Sequence, residues 1–143
     1  MNLPCKWIYH DGGRRKAGFR GIEGDCSVRS AAIALDIPYK KVYSDICKLV
    51  PIGHHIGDGI RRETFDAYLS RHGCTWVPIM RIGAGCTVHL RAAELPSGRI
   101  IARCSGHYVC VIDGAIYDNH DSTREGNRCV YGYWTVPGKG SSI

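Results

Sequence analysis

Apolar residues recur along this chain with two different periods, and the change falls near Gly73. Val28, Ala31, Ala32 and Leu35 lie at i, i+3, i+4 and i+7, the apolar stripe of a helix over roughly 25–36. Asp25 precedes that stripe in the position of a side-chain N-cap, and Cys26 opens it. A second helix begins at Pro38, which suits a first helical position, and carries Tyr39, Val42, Ile46 and Leu49 on one side until about Pro51. The glycine-punctuated "IGHHIGDG" reads as a loop. "RRETFDAYLSRHG" then reads as a third helix, with Phe65, Tyr68, Leu69 and His72 along one side and Gly73 as its C-cap.

After Gly73 the runs "CTWVPIM", "RIIARC", "HYVCVI", "AIYDN" and "RCVYGYW" are short, rich in β-branched and aromatic residues, and separated by Gly, Pro, Ser and Asp. The connection "TVHLRAAELPSG" fits a strand or a short helix equally well. Helices first and strands afterwards predict a single α+β domain over 1–143, with N-terminal helices packed on a C-terminal antiparallel sheet. Residues 1–20, rich in glycine and arginine, are left as a strand, an arm or a lid.

Composition narrows the class. A chain of 143 residues, 44% hydrophobic and 22% charged, has the make-up of a soluble domain with a real core. No apolar run approaches the ~18 residues of a membrane-spanning helix. The start, "MNLPCKWIYHDGG", lacks a basic segment followed by an apolar one, so a cytoplasmic protein is expected. The eight cysteines are irregularly spaced with no CxxC pair, and are expected to be reduced, most of them core fillers. A net charge of +6 admits nucleic acid or another acidic partner. However, the basic stretch Gly12–Gly21 and the Arg61–Arg62 pair have no interleaved aromatics to stack bases, which favours a solvated surface. Trp76, Trp134 and the tyrosines read as core or sheet-face residues. No glycine-rich phosphate loop and no βαβ alternation is present, so no cofactor is expected.

The sharpest chemical signal is "SGHYVCVIDGAIYDNHDS". Asp113–Gly114 between two β-prone runs is a strong two-residue hairpin signal. With that turn, Ile112 faces Ala115, Val111 faces Ile116 and Val109 faces Asp118, while His107 lies opposite His120. His107, Val109 and Val111 then share a face with Ile116, Asp118 and His120, which puts Asp118 diagonally within reach of the His107 ring. A register slip of one residue would put Asn119 there instead. A cysteine at a helix N-terminus, a histidine and a carboxylate beside it are the parts of thiol catalysis. The helix terminus and an imidazolium favour the thiolate, the carboxylate orients the ring, and the Cys26 N–H can face a developing oxyanion.

In the order "GDCSVRSAAIAL", a long middle segment, then "GHYVCVIDGAIYD", the chain resembles small papain-like cysteine peptidases. It is also similar to small phage and bacterial proteins sharing "DCxxR", "LPxGR", "SGHxxxVIDG" and "RCVYGYW", matched here by Asp25–Arg29, Leu95–Arg99, Ser105–Gly114 and Arg128–Trp134. The resemblance covers roughly residues 20–135. It implies a papain-like fold and a peptidase or isopeptidase acting through an acyl-enzyme, with Cys26 as nucleophile, His107 as general base and acid, and Asp118 as orienter. It also implies a glutamine about six residues before the cysteine to complete the oxyanion hole. This chain contains no glutamine, and Arg20 stands at that position.

The same residues admit rival readings. Cys104, His107, Cys110 and Cys129 could suggest zinc, but on a regular strand Cys104 and Cys110 face away from His107 and do not converge, so no metal is expected. His54 and His55 diverge in an extended loop. A papain-like binding protein without the chemistry predicts an unreactive Cys26. A basic nucleic-acid-binding module predicts binding that weakens steeply with salt.

Overall fold

A computed structural model describes residues 3–19, 25–50 and 60–138. Three helices appear where the period of 3.6 placed them: α1 (Cys26–Leu35), α2 (Tyr39–Cys47) and α3 (Arg62–Arg71). Both α2 and α3 are shorter than their apolar stripes suggested, and Leu49 lies in the turn after α2. The strands are β1 (Lys6–Tyr9), β2 (Thr75–Pro78), β3 (Arg99–Cys104), β4 (His107–Ile112), β5 (Ala115–Asp118) and β6 (Val130–Thr135). They form one α+β sheet in the order β1-β5-β4-β3-β6-β2. The ambiguous 87–98 connection contains only an isolated bridge, His89 to Cys129, and a 3-10 turn at Ala92–Glu94. No described helix is long and apolar enough to cross a membrane.

The expectation of an antiparallel sheet built from the C-terminal part is corrected. β1 comes from the N-terminal segment and pairs parallel to β5, with Tyr9 beside Asp118, so the sheet is mixed. Four exposed-to-half-buried residues with no apolar alternation give little local signal. The pairing is set by the β5 edge, whose end it covers through His10 N–H to Asp118 O at 2.9 Å. The segment that follows, 11–19, packs behind α1. Gly12, at φ 72°, brings its backbone so close to Arg29 that a Cβ there would lie 3.0 Å from the Arg29 Cα. Phe19 meets Tyr39 and Tyr43 edge-on or tilted, at 5.0 and 4.6 Å between rings.

That packing explains why α1 is more than amphipathic. Every residue from Ser27 to Leu35 is buried, between the sheet, α2 and the 11–19 segment. Small residues Ser27, Ser30, Ala31 and Ala34 let it seat closely, and each larger side chain such as Val28 contributes on the order of 1.5–3 kcal/mol by its burial. Its last carbonyls are met by Arg99, whose Nη1 donates to Ile33 O at 3.0 Å. Since Arg99 pairs with Ile112 at the far end of β4, α1 runs alongside β4 in the same direction. Ile101, Cys110, Ile112 and Trp134 face the helices, while Ile100, Ala102, Cys104, Val109, Val111, Ile116 and Val130 face Cys5 and Leu90 on the other side. Trp76 and Trp134 pack ring to ring at 5.5 Å, as core residues.

The hairpin register is as the Asp-Gly turn required: Ile112–Ala115, Val111–Ile116 and Cys110–Tyr117 pair, and Asp113 and Gly114 have φ of 48° and 80°. The turn is braced by Gly98 N–H to Asp113 Oδ1 at 2.7 Å. A Cβ on Gly114 would stand 2.8 Å from the Ala92 Cβ. Gly114→Ala is therefore expected to cost about 1–2 kcal/mol and lower Tm by roughly 3–8 °C. Adding Ala92→Gly should recover the steric share only, so an unchanged Tm in the single variant would refute the close approach.

One cysteine expectation is also corrected. Cys86 and Cys129 form a disulfide, tying the 79–89 loop to the start of β6, while Cys5, Cys26, Cys47, Cys74, Cys104 and Cys110 are free. Cysteine spacing carries no hint of that pair, whose partners are 43 residues apart.

Candidate active site

α1, β4 and β5 bring their termini together at one end of the sheet. β3 turns into β4 at Ser105–Gly106, so His107 opens β4 opposite Cys104. The β4–β5 ladder ends at Cys110–Tyr117, one pair short of the expected Val109–Asp118 contact. Beyond it the end of β5 is held by β1 instead: the backbone carbonyl of Asp118 accepts from His10 N–H and from Trp7 Nε1, each at 2.9 Å. The Asp118 side chain still reaches the His107 ring, as the shared face predicted. His107 Nε2 and Asp118 Oδ2 are 2.7 Å apart, and both side chains are largely shielded from solvent.

Cys26 is the first residue of α1, half-buried, and shares a cleft with His107 and Tyr108, both of which act on its thiol. With Nε2 taken by Asp118, Nδ1 is the ring nitrogen left for the thiol. Burial opposes the thiolate, but the influence of His107, the Tyr108 backbone and the Arg29 charge outweighs it, and the Cys26 pKa lies below the ordinary thiol value. Burial likewise opposes the imidazolium, yet Asp118 and Cys26 together raise the His107 pKa. Asp118 is pulled the other way: burial is overcome by His107, Ser122 and Arg29, which lower it to about 2. The shifts of Cys26 and His107 both run toward a thiolate and an imidazolium, beside the Asp118 carboxylate.

The Asp118 carboxylate has four hydrogen-bond partners, three of them side chains. Oδ2 takes His107 and the Ser122 hydroxyl at 2.8 Å, and Oδ1 takes Arg29 Nη1 and the Asn119 N–H, both at 2.8 Å. Arg29 is shared, because its Nε also donates to Asp25 Oδ1 at 3.0 Å. Asp25 is completed by the Tyr39 hydroxyl at 2.6 Å and by Arg14 Nε at 3.0 Å. Burial and the Asp25 carboxylate push the Tyr39 phenol well above its usual range. The expected capping role of Asp25 is therefore corrected: its side chain makes no cap bond to α1, being turned into this buried network instead. The first turn of α1 keeps its N–H groups clear of that carboxylate.

Arg29 and Ser122 were missed by sequence reasoning. Asp25–Arg29 has i, i+4 spacing on a helix, and Ser122 follows Asp118 by four, so a signal existed, but only the fold shows that both converge on one carboxylate. Asn119, the alternative orienter, directs its Oδ1 to His120 Nδ1 at 2.7 Å rather than to His107. The oxyanion candidate Arg20 lies outside the described residues, as do His54 and His55.

The zinc grouping does not assemble: Cys104 and Cys110 lie in cores on opposite faces, and Cys129 is in the disulfide. A different trio, His107, Asp118 and exposed His120, offers ligand atoms within 4.8 Å of one another. Both oxygens of its carboxylate are already engaged, Oδ1 by the Arg29 cation. The basic N-terminal stretch is partly used up inside the protein, since Arg14 is paired with Asp25.

A cleft of about 400 Å³ opens onto Cys26 and His107, with Ile60, Arg62, Arg103, Tyr108 and Tyr131 on its walls. Among the described residues that line it, none comes from 11–19, which packs against Arg29, Tyr39 and Tyr43 instead.

No family model, curated protein or solved structure matches this chain. What the protein does has to be read from the chemistry of the site.

Proposed function

We propose that the protein is a thiol-dependent hydrolase of papain-like type, a peptidase or isopeptidase, using Cys26, His107 and Asp118. The observation that carries this reading is a half-buried thiol at the first residue of a helix, in one cleft with a histidine whose Nε2 is 2.7 Å from a buried carboxylate. Support for the papain-like arrangement comes from the central helix opened by the cysteine, packed on a sheet whose neighbouring strands carry the other two groups.

The Cys26 thiolate attacks the carbonyl carbon of an amide, forming a C–S bond as the carbonyl electron pair moves to oxygen. The N–H of Cys26 and the positive end of α1 stabilise that oxyanion. The C–N bond breaks as His107 gives its Nδ1 proton to the leaving amine, and a thioester remains. Water then adds to the thioester while His107 accepts its proton. The C–S bond breaks, the acid departs, and the thiolate–imidazolium pair is restored. Asp118 keeps the ring facing the sulfur and supports its positive charge.

An oxidising compartment suits the Cys86–Cys129 bond better than the cytoplasm expected from the sequence. The loss of Arg14 to an internal pair weakens the nucleic-acid reading.

Alkylation by iodoacetamide, followed at each cysteine by mass spectrometry, tests the proposal. Burial raises the thiols of Cys5 and Cys74 to about 11 and of Cys104 and Cys110 to about 12, and raises that of exposed Cys47 as well. At about pH 6.5 an ordinary thiol is only ~1% thiolate, so Cys26 should react on the order of 100-fold faster than Cys47. His107→Ala should erase most of that lead. Equal rates at Cys26 and Cys47 in the native protein would leave a binding protein as the better description.

A further inference from the structure

The cleft beside the thiol has a charge of its own. Arg103, half-buried on β3, lies over the Tyr131 ring with its guanidinium carbon 5.7 Å from the ring centre, and among the described residues it forms no ion pair or hydrogen bond. Arg62 stands at the start of α3 on another wall, over Trp76 at 5.5 Å, and reaches Asp66 at 3.5 Å. Asp66 feels both arginines, with exposed Glu63 near it, so two guanidiniums share one close carboxylate. The Tyr108 ring joins this region to the chemistry, since Arg103, Asp66, Cys26 and Arg62 all act on its phenol. A planar guanidinium fixed over an aromatic ring, with its N–H groups unspent, is preorganised for a carboxylate, which it can grip with two parallel hydrogen bonds. The overall charge of +6 draws acidic molecules toward the same surface.

Resting on the proposal that Cys26 is the nucleophile, we infer that its substrate is an acidic peptide segment, with an aspartyl or glutamyl carboxylate close to the scissile amide held by Arg103 on its Tyr131 platform and assisted by Arg62. Neutral or basic side chains at that position leave the Arg103 guanidinium without a close carboxylate, so selectivity comes from the walls of the cleft and not from the triad.

A pair of small alkylating probes reads this without a known substrate. Iodoacetate carries a carboxylate beside its reactive carbon; iodoacetamide does not. The ratio of their rates at Cys26, divided by the same ratio at exposed Cys47, cancels reagent reactivity. In the native protein at low salt the quotient should be about tenfold, with both the His107 imidazolium and the arginines contributing. Arg103→Gln should lower it about fivefold, Arg103→Lys should keep only part of it, since it restores the charge but not the fork, and ~0.5 M salt should reduce it, while Lys40→Gln on exposed α2 should leave it in place. If Cys26 outpaces Cys47 with iodoacetamide yet the quotient is the same in Arg103→Gln as in the native chain, the acidic-substrate inference is overturned and the nucleophile stands. If iodoacetamide shows no lead at Cys26, both fall together.

Discussion

Cys26→Ala and His107→Ala are each expected to lower peptide hydrolysis by a factor on the order of 10⁴ or more, with the double variant little worse than either alone. The two groups act as one device: the histidine sustains the thiolate and later moves the proton, so removing one makes the other useless. A digest of glutamate- and aspartate-rich peptides, read by mass spectrometry, supplies the assay. Asp118→Asn should cost less, about 10²–10⁴-fold, because Nε2 keeps a neighbour but loses the charge that holds the imidazolium. The pH profile carries the same signature. The Cys26 pKa lies below its ordinary value and the His107 pKa above its own, and both shifts favour the ion pair. Turnover should fall as pH drops through the lowered Cys26 value and again as it rises through the raised His107 value. Full activity in Cys26→Ala would remove the thiol from the mechanism outright.

Arg29→Met is the second large effect, and it concerns stability. Arg29 Nη1 and Nε bind Asp118 and Asp25 at 2.8 and 3.0 Å, with all three side chains no more than 7% exposed. Methionine fills much the same volume but leaves both carboxylates short of their shared cation in a poorly solvated site. Breaking one side of such a pair typically costs about 3–5 kcal/mol, and the urea midpoint should fall accordingly. Arg29→Lys should recover part of the loss, since it restores a charge but not the fork that spans two carboxylates. Placing Asp118→Asn on top of Arg29→Met should cost less than the sum of the two singles. A shift under ~1 kcal/mol in Arg29→Met would show that the network is solvated and contributes little. Because the same cation fixes the carboxylate that orients His107, the Cys26 alkylation lead should shrink in the same variant.

Three helices, the Asp113–Gly114 hairpin and the meeting of His107 with Asp118 were legible in the sequence alone. Each rests on a local rule: a period of 3.6, a period of two, or a turn needing positive φ at two successive residues. Once that turn sets the register, neighbours on a shared face follow without any knowledge of the rest of the chain. The same logic reaches Cys26 as the first residue of a helix, but not which strand end that helix would meet.

Tertiary structure alone decided the remainder. β1 joins β5 across more than a hundred residues, Arg29 finds Asp118 at a separation of 89, and Cys86 finds Cys129 at 43. Arg103 and Tyr131 become neighbours only because β3 and β6 are adjacent in the sheet. Asp25 shows the contest directly: its sequence position promises a cap, yet two arginines and a tyrosine from elsewhere in the fold claim its oxygens. Backbone periodicity is written into consecutive residues. Ion pairs, parallel strand partners and cleft walls are selected by what packing brings together, and packing leaves no period in the chain.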